Sequence, residues 1–308
     1  MTTAPMLETR EDAPGLRQQP DRRPTRGGFD LRAVAALYRL TLRQHLHGKR
    51  WMVMAVLFLL PAVLAVCIRA SAPDVPPRGL EFMFVFMFIP QGLLPLVALL
   101  YASGILLDEQ EEQTLTYLLI RPIPKWAIYV VKLLATLTTT VLLTALFTAL
   151  TYAAIYARSN EPTTENIPLR CLKTMSIHGL AVAGYCCVFG LMSLFTKRTL
   201  IVGVLYAAIF EGLFGNLPMS IRLITVIYYT RIIAFRTLDF MVLLPNGFRE
   251  NLAGEVWQLD LANDPQLTEH PQLRTCVTVL VCACAAFTAI AAYLCSRREF
   301  HVKTPEKG

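Results

Sequence analysis

Eight cysteines and five histidines are the side chains here whose chemistry could hold a metal, close a disulfide or attack a substrate. Cys67, Cys186, Cys187, Cys282, Cys284 and Cys295 fall within or at the end of long apolar runs, where cysteine serves as a small, soft hydrophobe. Cys282 and Cys284 are two positions apart, so on a helix they point to nearly opposite sides and cannot grip one ion. Cys171 and Cys276 lie near the ends of two runs. A disulfide between them stays open at this point, because sequence does not set their separation. His45 and His47 sit in a basic stretch, and His178, His270 and His301 are scattered. No H-E-x-x-H, G-x-S-x-G or paired-cysteine zinc spacing occurs, and no G-x-x-x-x-G-K-[ST] loop. The expectation is a chain with no catalytic residues, no metal and no cofactor of its own. If ATP is used, the ATPase is a different chain.

One segment carries more information than these scattered residues. Asp108, Glu109, Glu111 and Glu112 put four acids into five positions, followed by Thr114, Leu115, Leu118, Leu119, Arg121, Pro122, Pro124 and Lys125. Acids at the start of a helix complement its dipole, and Thr114 or an acid can cap it. Leu115, Leu118 and Leu119 give that helix an apolar face, and Arg121-Pro-Ile-Pro-Lys125 stops it and turns the chain. The product is a short amphipathic helix with a charged rim, of the kind that docks in a groove of a soluble partner. A solvated acidic loop ahead of an ordinary helix stop is the plainer alternative.

The elements that must position this segment follow from composition. Of 308 residues, 55% are hydrophobic and only 17% charged, with a mean hydropathy of +0.48 and a net charge of +7. Soluble domains carry about 25% charged residues. The shortage of charge and the length of the apolar runs exclude a nucleic-acid tail protein and a soluble enzyme with one large core. A helix crossing a hydrocarbon layer of roughly 30 Å needs about 20 apolar residues. Six runs meet that need, at about 51–68, 82–107, 127–155, 176–195, 200–217 and 275–295, and no alternating barrel pattern appears. With a cytoplasmic N-terminus the inside segments hold 19 Lys and Arg and the outside segments 10. Both termini are therefore expected in the cytoplasm, which assigns the basic balance to topology rather than nucleic acid.

Residues 1–28 read as a disordered cytoplasmic tail, rich in Pro, Arg and Thr, and not as a secretory signal. Residues 29–50 read as an interfacial helix: Leu31, Val34, Leu37, Tyr38 and Leu42 recur at helical spacing, while Arg32, Arg39 and Arg43 face anionic headgroups. The six-span domain takes 51–298, and 299–308 form a second cytoplasmic tail.

The acids, Thr-Leu, Leu-Leu, Arg-Pro-x-Pro-Lys and the later Lys132 together resemble the permease subunits of ABC transporters. Within them they are similar to the exporter-like class commonly called type two. The matching residues are Glu109, Glu111, Glu112, Thr114, Leu115, Leu118, Leu119, Arg121, Pro122, Pro124, Lys125 and Lys132, with Gln113 where that family often has Gly. The patch from Tyr206 to Pro218, which includes Glu211, also resembles the fifth span of these permeases. The resemblance implies an all-α membrane protein with a connecting helix before the first span, a cytoplasmic helix between spans two and three that contacts the ATPase, and re-entrant exoplasmic helices after span five. It implies a second permease subunit, identical or related, and cytoplasmic ABC ATPase subunits that bind ATP and magnesium. A bacterial inner membrane is the expected location. The competing reading is a membrane scaffold whose cytoplasmic loop recruits another soluble protein.

Ser220 to Phe235 is apolar but broken by Arg222, Arg231 and Arg236, which suits a partly inserted hairpin better than a span. Glu211 sits near the outer end of span five, where a carboxylate needs water, a cation or a helix terminus. It either lines an exit path or pins the hairpin through an arginine. The spans hold few ionisable groups by this reading, which favours a lipid, drug-like or amphipathic cargo over a small ion.

Overall fold

The computed structural model describes residues 31–72, 75–105, 124–157, 166–196, 198–217, 220–243, 249–259, 261, 264 and 267–297. The two expected tails and most of the acidic loop, residues 106–123, lie outside these residues. Helix α1 (Leu31–His47) precedes α2 (Lys49–Ser71), α3 (Pro77–Ala102), α4 (Lys125–Tyr156), α5 (Ile167–Phe195) and α6 (Thr199–Asn216). A short 3-10 turn at Ser220–Ile224 leads into α7 (Val226–Thr237). Strands β1 (Met241–Leu243) and β2 (Arg249–Asn251), the small helix α8 (Leu252–Val256) and α9 (Leu273–Arg297) complete the order. Helices α2 to α6 and α9 are each long and apolar enough to cross a membrane, so this is a multi-pass membrane protein.

Local chemistry explains where these helices begin and bend. Pro76 and Pro77 open α3, where a missing N–H costs nothing. The same helix widens to π geometry over Phe82–Leu93, around Pro90, which cannot supply the bond a regular helix needs there. Helix α5 starts at Ile167, well before the expected Ser176, because the Asn166 side chain caps the Leu169 amide and Pro168 fits the first turn. Arg170 and Lys173 had placed that stretch in a loop by sequence, but Arg170 is met by a buried acid. Helix α4 has 32 residues, about 48 Å of helix, which exceeds the hydrocarbon layer. The β1–β2 ladder pairs Val242 with Glu250 in antiparallel register and was not anticipated from sequence.

Helix α5 is the centre of the bundle and packs against α3, α4, α7 and α9. Sixty-seven per cent of its apolar stretch is buried inside the chain, against 11% for α9 and 22% for α6. Val53, Val56, Ile201, Leu205, Val281 and Ile290 accordingly point outward, where acyl chains or a second subunit can cover them. Gly190 of α5 has no room for a side chain: a Cβ there would lie 2.8 Å from the Tyr129 hydroxyl and 3.3 Å from Ile105. The Cys171–Cys276 disulfide that sequence left open is not formed. Both thiols are free, and Cys276 instead faces the Pro271 carbonyl at 3.7 Å.

Candidate functional site

Three groups of residues combine burial with unusual chemistry. The first holds the roots of the acidic loop. Glu109, Glu111, Glu112, Thr114, Leu115, Leu118, Leu119, Arg121 and Pro122 lie outside the described residues, but both ends of their segment are in view. Pro124 sits in extended conformation and Lys125 begins α4. Lys132, about two turns further on, is buried and donates from Nζ to the Ile105 carbonyl at 3.0 Å. A cation on a carbonyl at the end of α3 complements that helix's dipole and clamps the exit of α3 to the start of α4. The Lys125 carbonyl accepts from Cys295 Sγ at 3.5 Å, which adds the last turn of α9.

Helix α1 lies along the same end of α4. Leu37 is buried with Ala127, Ile128 and Val131, and the Tyr38 hydroxyl donates to Thr138 at 2.9 Å. Arg32, Arg39 and Arg43 are exposed on the remaining face, together with Leu40 and Leu46. The amphipathic pattern read from sequence therefore serves α4 as well as whatever covers the outer side.

The second group is at the other end of α4. Glu81 is 1% exposed and its Oε1 accepts from Arg170 Nε at 2.7 Å and from the Tyr152 hydroxyl at 2.7 Å. Oε2 accepts from the Tyr156 hydroxyl. Arg170 also donates to the Asp239 carbonyl at 2.7 Å and lies over the Phe240 ring. One buried carboxylate thus joins α3, α4 and α5 to the chain after α7. Sequence reading passed over Glu81 and assigned Arg170 to a loop. The visible signal was a lone acid opening a strongly apolar run. The spans also hold more ionisable groups than the sequence reading allowed, since Glu81 and Arg170, which it placed outside them, lie within helices.

Glu211 forms the third group. It is fully buried in a π-helical turn of α6, Ala207–Leu213. Its oxygens accept from the Val226 amide at 3.1 Å, the Ile227 amide at 2.9 Å and the Tyr185 hydroxyl at 2.9 Å. The carboxylate therefore sits on the N-terminus of α7, whose orphan N–H groups and dipole suit an anion. Gly215 permits the approach, because a Cβ there would come within 2.6 Å of Ile227. Arg231 hydrogen-bonds elsewhere, to the Gly215 carbonyl at 3.1 Å and the Asn216 side chain at 2.9 Å. Burial brings Arg231 down to about 10, opposed by Tyr185 and Glu211, so it stays a cation near neutral pH. The helix terminus, rather than an arginine, is what Glu211 holds directly.

On the surface of α3, Met83, Phe84, Met87, Phe88, Gln91 and Gly92 line an open groove of about 440 Å³. Its walls are flexible thioethers and rings with a single amide, suited to apolar ligands of varied shape. Among the described residues no group of three His, Cys, Asp or Glu could hold a metal ion.

The family model described as ABC-2 family transporter protein matches residues 46–215, which takes in α2 through most of α6. No curated protein matches the chain.

Proposed function

The chain belongs to the ABC-2 transporter family, and on that premise we propose that it couples ATP hydrolysis by separate ATPase chains to movement of a substrate across the membrane. It is a membrane-spanning component of an ABC transporter; the coupling, the export direction and the partners are our reading. In that reading two copies, or this chain and a related one, enclose the path, with both termini in the cytoplasm. Closure of the ATPase chains pushes on the segment at Leu115–Leu119, and the push tilts α3 and α4 between inward-open and outward-open states.

The observation that most supports this reading is the clamp between Lys132 and the Ile105 carbonyl. A force on the segment between Ile105 and Lys125 needs rigid roots if it is to move whole helices, and this charge-assisted bond supplies one. The apolar groove on α3 favours an amphipathic or lipid-like cargo over a small ion. The test is copurification. Wild-type protein should bring down an ATPase that Glu112→Lys or Leu118→Asp loses while the membrane subunit remains folded. Wild-type protein that associates with no ATPase under any nucleotide condition would sink the proposal.

A further inference from the structure

We propose that a small cavity between α3, α5, α7 and the turn after α8 binds one oxygen acceptor, a single water molecule held by Arg231 and Trp257. Phe86, Pro90, His178, Thr230, Arg231 and Trp257 contribute to its walls. About 10 Å³ is open to the centre of a water-sized sphere, which is room for one such molecule.

The lining sets the chemistry of the occupant. Arg231 is 7% exposed and Trp257 5%, yet Arg231 Nε and Trp257 Nε1 have no hydrogen-bond partner. Both groups can only donate. An acceptor lines the same cavity. The Thr230 hydroxyl gives its proton to the Ile227 carbonyl at 2.9 Å, which leaves its oxygen lone pairs free to accept. His178 pairs through Nδ1 with Thr148 at 3.1 Å, and its Nε2 has no hydrogen-bond partner, so the tautomer sets whether it donates or accepts there. Two strict donors and a hydroxyl oxygen that can accept suit water, which both accepts and donates. A halide would use the donors alone. It would also add a negative charge where the neighbouring Glu211 carboxylate already offsets Arg231.

The site lies at a junction. Pro90 belongs to the π segment of α3, His178 to the centre of α5, and Arg231 to the helix whose N-terminus rests on Glu211. A water here would tie α7 to α3 and α5 through polar contacts in an otherwise apolar layer. Arg231 and Trp257 both lie beyond residues 46–215, so the family match does not bear on them.

Ultraviolet resonance Raman of Trp257 in the intact protein, with Trp51→Phe and Trp126→Phe, reads the indole N–H directly. A hydrogen-bonded indole is expected, and a free N–H signature overturns the site. The band should be unchanged when chloride is replaced by gluconate; a shift would assign the occupant as a halide and overturn water. Ala234→Val supplies the second measurement, since Ala234 also lines the cavity. Displacing the water should lower the thermal midpoint, on the order of 3 °C, and the loss should shrink in a Trp257→Phe background. A raised midpoint, as expected for filling a dry cavity, or equal losses in both backgrounds, would overturn the proposal.

Discussion

Thr148 on α4 and His178 on α5 meet through a buried hydrogen bond of 3.1 Å, and they do so in a register the two helices keep along their length. Thr140 faces Cys186 at 3.6 Å and Tyr152 faces Thr174 at 2.8 Å. Each advance along α4 is matched by an equal retreat along α5. The α4 residues recur every fourth position, as Lys132, Thr136, Thr140, Thr144, Thr148, Tyr152 and Tyr156, which is one ridge of a helix. In lipid such polar pairs act as glue between spans, because an apolar surroundings offers helices no hydrophobic reason to associate.

A double-mutant cycle on Thr148→Val and His178→Phe should therefore show coupling. Pairs of this kind in membrane helices contribute about 0.6 kcal/mol on average and up to about 1.7 kcal/mol. Reversible unfolding in detergent or bilayer measures it. Strict additivity would mean that the helices are held in register by packing alone.

Glu81 and Arg170 should behave differently, because both are charged and almost wholly buried. Removing one partner leaves an uncompensated charge, which costs about 3–5 kcal/mol. Glu81→Gln and Arg170→Met are each expected to lower the thermal midpoint sharply. The double variant should recover part of the loss, since no lone charge remains. Thermal unfolding of the purified single and double variants decides this. A double variant as unstable as the sum of the singles would show that the pair does not act as a unit.

Glu211→Gln keeps the shape of the side chain but removes one accepting oxygen and the charge on the start of α7. The expected cost is about 1–2 kcal/mol, the range for losing a charged or capping group at a helix N-terminus. Yield of folded protein, thermal midpoint and transport should be measured together. Loss of folded protein supports a role in seating α7. Normal assembly with altered transport supports the alternative, a place on the substrate path.

The sequence was most legible where its physics is one-dimensional. A run of apolar residues long enough to cross a bilayer needs no partner to be recognised, so six runs coincide with the six long apolar helices, with ends off by up to nine residues. Charge met by a distant partner was not legible. Arg170 reads as a loop residue until Glu81, 89 positions away, is known to accept its proton donors. The same holds for Glu211: its burial was expected to need a helix terminus or a cation, but only the fold reveals that Val226 and Ile227 provide the amides. The polar row on α4 could have been read from its four-residue repeat, which would have identified the face turned to α5. The strand pair at Met241 and Asn251 is too short and too irregular to stand out.

If Lys132 transmits force from the loop to the helices, Lys132→Met should uncouple the two while leaving the fold largely intact. The ammonium donates to the Ile105 carbonyl at 3.0 Å, and a hydrogen bond to a charged group contributes about 1.5–3 kcal/mol. Loss of transport with retained ATPase association is the expected outcome, measured on reconstituted complexes. Unchanged transport would remove Lys132 from the coupling route.

The last prediction concerns pH and the segment before α9. His270 Nδ1 pairs with the Tyr228 hydroxyl at 2.9 Å, and its backbone carbonyl accepts from Arg236. Burial lowers the His270 pKa below its ordinary 6.5; Arg222 and Arg236 push the same way, against Asp264 and Glu269. The folded state thus prefers the neutral ring, and the unfolded segment binds more protons at mildly acidic pH. The resulting stability is present above pH 6.5 and is lost as pH falls through the lowered value. Asp264 adds nothing in that window. Slight desolvation raises its pKa, but the Glu269 and Thr268 amides outweigh it and hold it below 3.8, so its contribution is lost only in stronger acid. Hydrogen exchange of residues 267–273 should accelerate relative to α5 between pH 7 and pH 5, after correction for intrinsic rates, and His270→Asn should flatten that dependence. An unchanged profile in the variant would assign the pH response to some other group.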